Sequence, residues 1–155
     1  MTKSKTNPRV AIIMGSQSDK DVMSGAAQYL KELGIGSDVV VASAHRDPKK
    51  VRSFAESAEK KYDLIIAGAG MAAHLPGVIA SYTTLPVIGV PISSKSLSGF
   101  DALYSIVQMP TGIPVATVAI DGAKNAGILA AEILALKYPV LKNKIMEFRK
   151  QLSRK

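Results

Sequence analysis

Short apolar runs alternate with longer amphipathic stretches from residue 10 to residue 136. Residues 10–14, Val-Ala-Ile-Ile-Met, are an unbroken apolar run ending at Gly15, the pattern of a strand buried on both faces. Ser16 or Ser18 then caps a helix in which Val22, Ala26, Leu30 and Leu33 fall on one face, and Gly34 stops it. The plan repeats. Residues 38–42 read as a strand, Asp47 as an N-cap, Pro48 as the first helical residue, and Val51, Phe54, Ala58 and Tyr62 as the apolar stripe. Further strands are predicted at 64–67, 86–90 and 114–120, and helices at 76–82, at 98–108 and after Gly122, where Ala126, Leu129, Ile133 and Leu136 share a face.

Strands separated by helices need crossover connections, so the sheet they build is parallel. The right-handed crossover rule makes this a single-domain α/β chain, a flavodoxin-like three-layer sandwich whose five strands run in the order 2-1-3-4-5. Residues 1–8 form an N-terminal extension, 9–136 the α/β domain, and 137–155 a basic C-terminal helix set off by Pro139. In that helix Leu141, Ile145, Phe148 and Leu152 keep a 4-3-4 spacing beyond an already complete unit, a stripe that suits a partner as well as the parent domain and is expected in oligomer contacts.

Composition narrows the function. No apolar stretch approaches the ~18 residues of a membrane span, and the first residues lack the apolar core of a secretory signal, so neither membrane nor export is expected. The chain has no cysteine, which excludes disulfides and thiolate metal sites and favours a cytoplasmic setting. Its net charge of +8 is confined to the ends: residues 10–136 carry ten basic against eleven acidic side chains. A solvated basic tail without interleaved aromatic residues or a nucleic-acid motif does not make a nucleic-acid-binding protein.

The candidate chemistry lies in the segments that follow strands, which in a parallel sheet converge at the carboxyl edge. Pro91-Ile92-Ser93-Ser94-Lys95 falls there too, without an assigned role; three other segments carry the chemistry. Gly15-Ser16-Gln17-Ser18-Asp19 offers small residues at a helix start, where free amides and the dipole favour a phosphate, and Asp19 suits ribose hydroxyls. It is neither a P-loop nor a dinucleotide fingerprint. Ser43-Ala44-His45-Arg46 places a side chain that exchanges protons near neutral pH beside a guanidinium able to clamp phosphate. Gly68-Ala69-Gly70-Met71-Ala72-Ala73-His74 brings backbone amides close to a planar ligand or carboxylate, or else is only a tight strand-to-helix crossing. His74 suits a supporting hydrogen bond or core packing equally. Two histidines without a carboxylate cluster give no metal site. A receiver-like signalling domain is disfavoured because the first strand lacks paired acids for Mg²⁺. A non-enzymatic nucleotide sensor would use the same edge without needing His45.

These segments, together with Leu75-Pro76-Gly77 and Ser105-Ile106-Val107-Gln108-Met109-Pro110, occur in the order and spacing of the class I N5-carboxyaminoimidazole ribonucleotide mutases, which the chain resembles over about residues 9–136. The related class II carboxylases typically have Lys after the histidine and lack the Ala-Ala-His-Leu-Pro-Gly run, so Arg46 and residues 72–77 side with the mutases. The resemblance implies a purine-biosynthesis isomerase that moves a carboxyl group from N5 to C4 without cofactor or metal. It implies His45 as the catalytic proton carrier and a substrate site of Ser16, Ser18, Asp19, Ser43, Arg46, Gly70, Met71, Ala72, Ala73 and His74. Ser16, Arg46 and Ser43 would hold the phosphate, Asp19 the ribose, and the 70–73 turn the migrating carboxylate. It implies a homo-octamer with shared sites.

The chain departs from the family pattern at two places. Met71 stands where Gly is usual in Gly-Ala-Gly-Gly-Ala-Ala-His, and a methionine there is strained if the position needs positive φ. The turn Asp121-Gly122-Ala123-Lys124 is about two residues short.

Overall fold

A computed structural model describes residues 7–153. The elements run β1 (Arg9–Met14), a 3-10 turn (Gln17–Asp19), α1 (Lys20–Glu32), β2 (Gly36–Val41), α2 (Pro48–Ser57), a second 3-10 turn (Ala58–Lys60), β3 (Leu64–Gly70), α3 (Leu75–Ala80), β4 (Val87–Ile92), α4 (Phe100–Val107), β5 (Ala116–Thr117), α5 (Ala123–Ala135) and α6 (Val140–Leu152). All strand pairs are parallel and the order is β2-β1-β3-β4-β5, as the alternation of patterns requires. Most of the N-terminal extension lies outside the described residues. No helix among the described residues is long and apolar enough to cross a membrane.

Alternation along β1 and β3 sends side chains into two cores. Val10, Ile12, Met14, Leu64 and Ile66 meet Met23, Tyr29 and Leu30 of α1 and the alanines of α5. Ala11, Ile13, Ile65 and Ala67 meet Val51, Ala55, Ile79, Ala102 and Ile106 of α2, α3 and α4 on the other face. Removing a large aliphatic side chain from water stabilises by about 1.5–3 kcal/mol. These central strands, covered on both sides, therefore anchor the loops at their ends.

Three expectations change. On α5 the buried face is Ala123, Ala126, Gly127, Ala130, Ala131 and Leu134, whereas Leu136 is exposed. The reason is close packing on α1: a Cβ on Gly127 would stand 3.1 Å from the Ala26 carbonyl oxygen, so small residues, not leucines, mark the contact. β5 is two residues long rather than spanning 114–120. Pro114 has no amide to donate, β5 is an edge strand, and beyond it only Val118 and Asp121 donate to β4, at Gly89 and Pro91.

The third change concerns the last helix. Leu141 and Ile145 are 2% and 7% exposed, and the Phe148 ring meets Tyr29 edge-on at 4.9 Å. Lys144 Nζ donates to the Leu33 carbonyl at 2.6 Å. The stripe thus packs on α1 and α5 of its own chain. Of the two readings, packing on the parent domain is the one that accounts for Leu141, Ile145 and Phe148, because the α1–α5 pair leaves an apolar groove that a third helix fills. Only Leu152 of the stripe is exposed. At the opposite edge of the sheet from the strand ends, Asp63 ties the start of β3 to its surroundings, accepting from the Arg9 amide at 3.0 Å, Lys137 Nζ at 3.0 Å and the Tyr138 hydroxyl at 3.3 Å. Beside it, hydrogen bonds from Lys61 and Arg9 hold the Asp38 carboxyl well below the usual carboxylate range.

Candidate active site

The carboxyl ends of β1, β2, β3 and β4 open onto one cavity of about 610 Å³, a volume suited to a small organic ligand. The loop after β1 is held to β3 by a hydrogen bond from the Gly15 amide to the Gly68 carbonyl, 3.2 Å. Gly68 leaves room for the Met23 side chain: a Cβ there would meet the Met23 sulfur, so that side chain would have to shift. Ser16 caps the 3-10 turn leading into α1. Its hydroxyl accepts from the Ser18 amide at 3.3 Å and from the Ser18 hydroxyl at 2.9 Å, while its own amide donates to Asp19 Oδ2 at 3.2 Å. Asp19 is pushed up by its partial burial, a shift opposed by the Ser16 amide and the Ser18 hydroxyl.

The turn after β2 is built by its own side chains. Ser43 Oγ accepts from the Arg46 amide at 3.2 Å, and Asp47 caps α2 by accepting from the Lys50 amide at 3.2 Å ahead of Pro48. Arg46 then reaches across to the first loop, where one guanidinium nitrogen donates to the Gly15 carbonyl at 3.0 Å. A guanidinium has five N–H donors, so most remain for a ligand. His45 points the other way: its Nε2 lies 2.7 Å from Nδ1 of His74, with the rings edge-on at 4.8 Å. One ring donates and the other accepts, so the pair shares a single proton across that contact. His74 thus takes the supporting hydrogen-bond role, not core packing.

The glycine-rich segment turns tightly between β3 and α3. The Ala73 amide donates to the Met71 carbonyl and the His74 amide to the Ala72 carbonyl, both at 2.8 Å. Met71 stands at φ 55°, the left-handed region, which costs a side-chain-bearing residue about 1–2 kcal/mol. Gly70 lies against β4, where a Cβ would meet the Ile92 carbonyl oxygen at 3.2 Å.

The cavity wall contains Ser16, Ser18, Asp19, Ser43, His45, Arg46, Gly70, Met71, Ala72 and His74, brought together from three loops. Ala73 is not on it. Its side chain is buried in the α2–α3–α4 core, because the tight turn alternates direction at that point. The wall also contains Ile92, Ser93 and Ser94 after β4, from the fourth segment that the sequence places at this edge without giving its residues a role. Serines carry no distinctive signal, and only their position after a parallel strand points to them. Ser93 is fixed by Asp121, itself at φ 57°, whose carboxylate accepts from the Ser93 amide at 2.9 Å and hydroxyl at 2.7 Å. The shortened turn thus buttresses the cavity. The motif at 105–110 stays off the wall; there Met109 packs beside Gly77.

Comparison with known proteins agrees with this geometry. Residues 9–155 match the family described as AIR carboxylase. An N5-carboxyaminoimidazole ribonucleotide mutase of Thermotoga maritima is 56% identical over 148 residues, covering 95% of this chain and 86% of that protein. The mutase of the same name from Pyrococcus horikoshii is 58% identical over 149 residues, covering 96% and 84%. The crystal structure of Treponema denticola PurE superposes with a TM-score of 0.87 at 31% identity, over 96% of this chain and 93% of that one. The chain belongs to the AIR carboxylase family, and within it stands with the relatives that carry the mutase name.

Proposed function

We propose that this protein converts N5-carboxyaminoimidazole ribonucleotide to 4-carboxy-5-aminoimidazole ribonucleotide in purine biosynthesis. The observation that carries the reading is a paired histidine, His45, in one cavity with Arg46, Ser16 and a tight glycine-rich turn. Arg46, with Ser16 and Ser43, holds the phosphate, Asp19 the ribose, and the glycine-rich turn after β3 the migrating carboxylate. Cleavage of the N5–carboxyl bond leaves its electron pair on N5, which takes a proton from His45 as CO2 departs. Carbon 4 attacks the CO2, and its proton returns to His45. One imidazole serves both halves, and the transfer is redox-neutral, so it calls for no redox cofactor. The cysteine-free sequence fits a cytoplasmic setting.

The test is the ultraviolet spectrum of chemically made N5-carboxy nucleotide with and without the protein, repeated after chelator treatment. Conversion is expected, with preference over the bare aminoimidazole ribonucleotide plus bicarbonate. Turnover of the bare nucleotide alone would favour a carboxylase instead. Arg46→Ala is expected to weaken nucleotide binding by roughly 10–100-fold, the scale of a charge-assisted pair, and to affect the dephosphorylated nucleoside far less. Titration calorimetry with both ligands checks this, and equal losses would remove Arg46 from the phosphate subsite.

The working form in this reading is a homo-oligomer, an octamer on the family resemblance, with sites shared between subunits. Support comes from α4 and the loop before it, where Leu97, Phe100, Tyr104 and Val107 form an exposed apolar stripe at 3-4-3 spacing. Light scattering is expected to give several times 16.4 kDa, and Phe100→Glu with Tyr104→Glu to lower mass and activity together. A fully active monomer would refute shared sites.

A further inference from the structure

A carboxylate that is not itself on the cavity wall is committed to a residue that is. Asp121, on the turn after β5, accepts from the Ser93 amide through Oδ1 at 2.9 Å and from the Ser93 hydroxyl through Oδ2 at 2.7 Å. Its own amide donates to the Pro91 carbonyl at 2.8 Å, which ties the turn to the end of β4. Gly99 closes in on the same residue: a Cβ there would stand 3.2 Å from the Ser93 Cα. Ser93 is thus fixed in place while staying exposed on the wall. A serine hydroxyl has one proton and two acceptor lone pairs, and a carboxylate only accepts. With its proton given to Asp121, the Ser93 hydroxyl has only acceptor capacity left for a ligand.

We infer that Ser93 recognises the exocyclic nitrogen of the aminoimidazole by accepting its N–H, and that Asp121 is the positioning residue that sets the sense of this hydrogen bond. The inference rests on the mutase reading above. The strands run β2-β1-β3-β4 with neighbours about 4.8 Å apart, so the loop after β4 lies three spacings, roughly 14 Å, from the loop after β2 that carries Arg46. In the nucleotide the ribose separates phosphate from heterocycle. A phosphate held by Arg46 therefore turns the heterocycle toward β3 and β4. At that end the unsubstituted ring nitrogen and the carboxylate are acceptors. The exocyclic nitrogen alone carries N–H, in the N5-carboxy substrate and in the 4-carboxy product alike. A hydroxyl left with lone pairs only is complementary to that group and mismatched to the acceptors beside it.

Selectivity rather than affinity tests this. Titration calorimetry at neutral pH compares 4-carboxy-5-aminoimidazole ribonucleotide with the analogue whose C5 amino group is replaced by hydrogen. The parent is expected to bind the amino form about 3–10-fold more tightly, the scale of one neutral hydrogen bond. Ser93→Ala is expected to bring that ratio close to one while changing affinity for the desamino analogue little. Asp121→Asn separates orientation from support. The Ser93 amide stays a donor, so the oxygen of the new side chain must face it and the NH2 must face the hydroxyl, which then turns its own proton toward the ligand. The ratio is expected to fall to one or to invert. A residue that only braced the loop would, when changed, weaken both ligands together and keep the ratio. That result, an unchanged ratio in Ser93→Ala, or a parent without preference would overturn the inference. If the parent does not convert the N5-carboxy nucleotide, the mutase reading fails and this inference fails with it; if it converts the nucleotide and the ratio is the same in all three proteins, only the roles of Ser93 and Asp121 fall.

Discussion

His45→Asn is expected to lower turnover of the N5-carboxy nucleotide by about 10²–10⁴-fold or more while leaving nucleotide binding largely intact. An amide has nearly the shape of the imidazole and can keep a polar contact to His74, 2.7 Å away in the parent. It cannot carry a proton at neutral pH. The phosphate and ribose contacts assigned to Arg46, Ser16 and Asp19 come from other loops and are untouched. Binding and chemistry should therefore separate, with the dissociation constant within a few-fold of the parent and the rate near background. Near-normal turnover would remove His45 from both proton transfers. Loss of binding in parallel with loss of rate would show that the His45–His74 pair shapes the cavity instead.

The fold was legible because parallel strands covered on both faces leave unbroken apolar runs, as at 10–14 and 64–67, and because Asp47-Pro48 and Ser16 mark helix starts by mechanism. The site was legible from the same fact: once the strands are parallel, whatever follows them shares an edge. That placed His45, Arg46 and Asp19 around one cavity without any distance being known. Three things were not legible. The sequence puts residues 91–95 at the edge but gives the serines there no role, and the support that Asp121 gives Ser93 depends on a left-handed turn. Ala73 falls off the wall because a tight turn, unlike a strand, does not announce which way each side chain points. On α5 the spacing predicts Leu129, Ile133 and Leu136 with Ala126 on the buried face, whereas close helix approach at Gly127 makes small residues the contact.

Leu141→Ala is expected to destabilise the chain by about 2–5 kcal/mol, a large share of the ~5–15 kcal/mol that holds a domain together. Leu141 is buried with Ile145 against α1 and α5, and truncating it leaves a cavity between three helices instead of a thinner solvent-facing surface. In a chain of 155 residues this corresponds to a thermal midpoint lower by roughly 5–15 °C. Leu152→Ala, on the same stripe but exposed, should stay within about 0.5 kcal/mol of the parent. The two variants separate packing within a chain from packing between chains. Periodicity reports that a helix has an apolar face, but the face looks the same whether its partner is α1 of the same chain or a second copy. Urea unfolding of both variants alongside light scattering decides. A lower midpoint for Leu141→Ala with unchanged mass while folded is the expected outcome; an unchanged midpoint with a fall to monomer mass would return the stripe to the subunit interface.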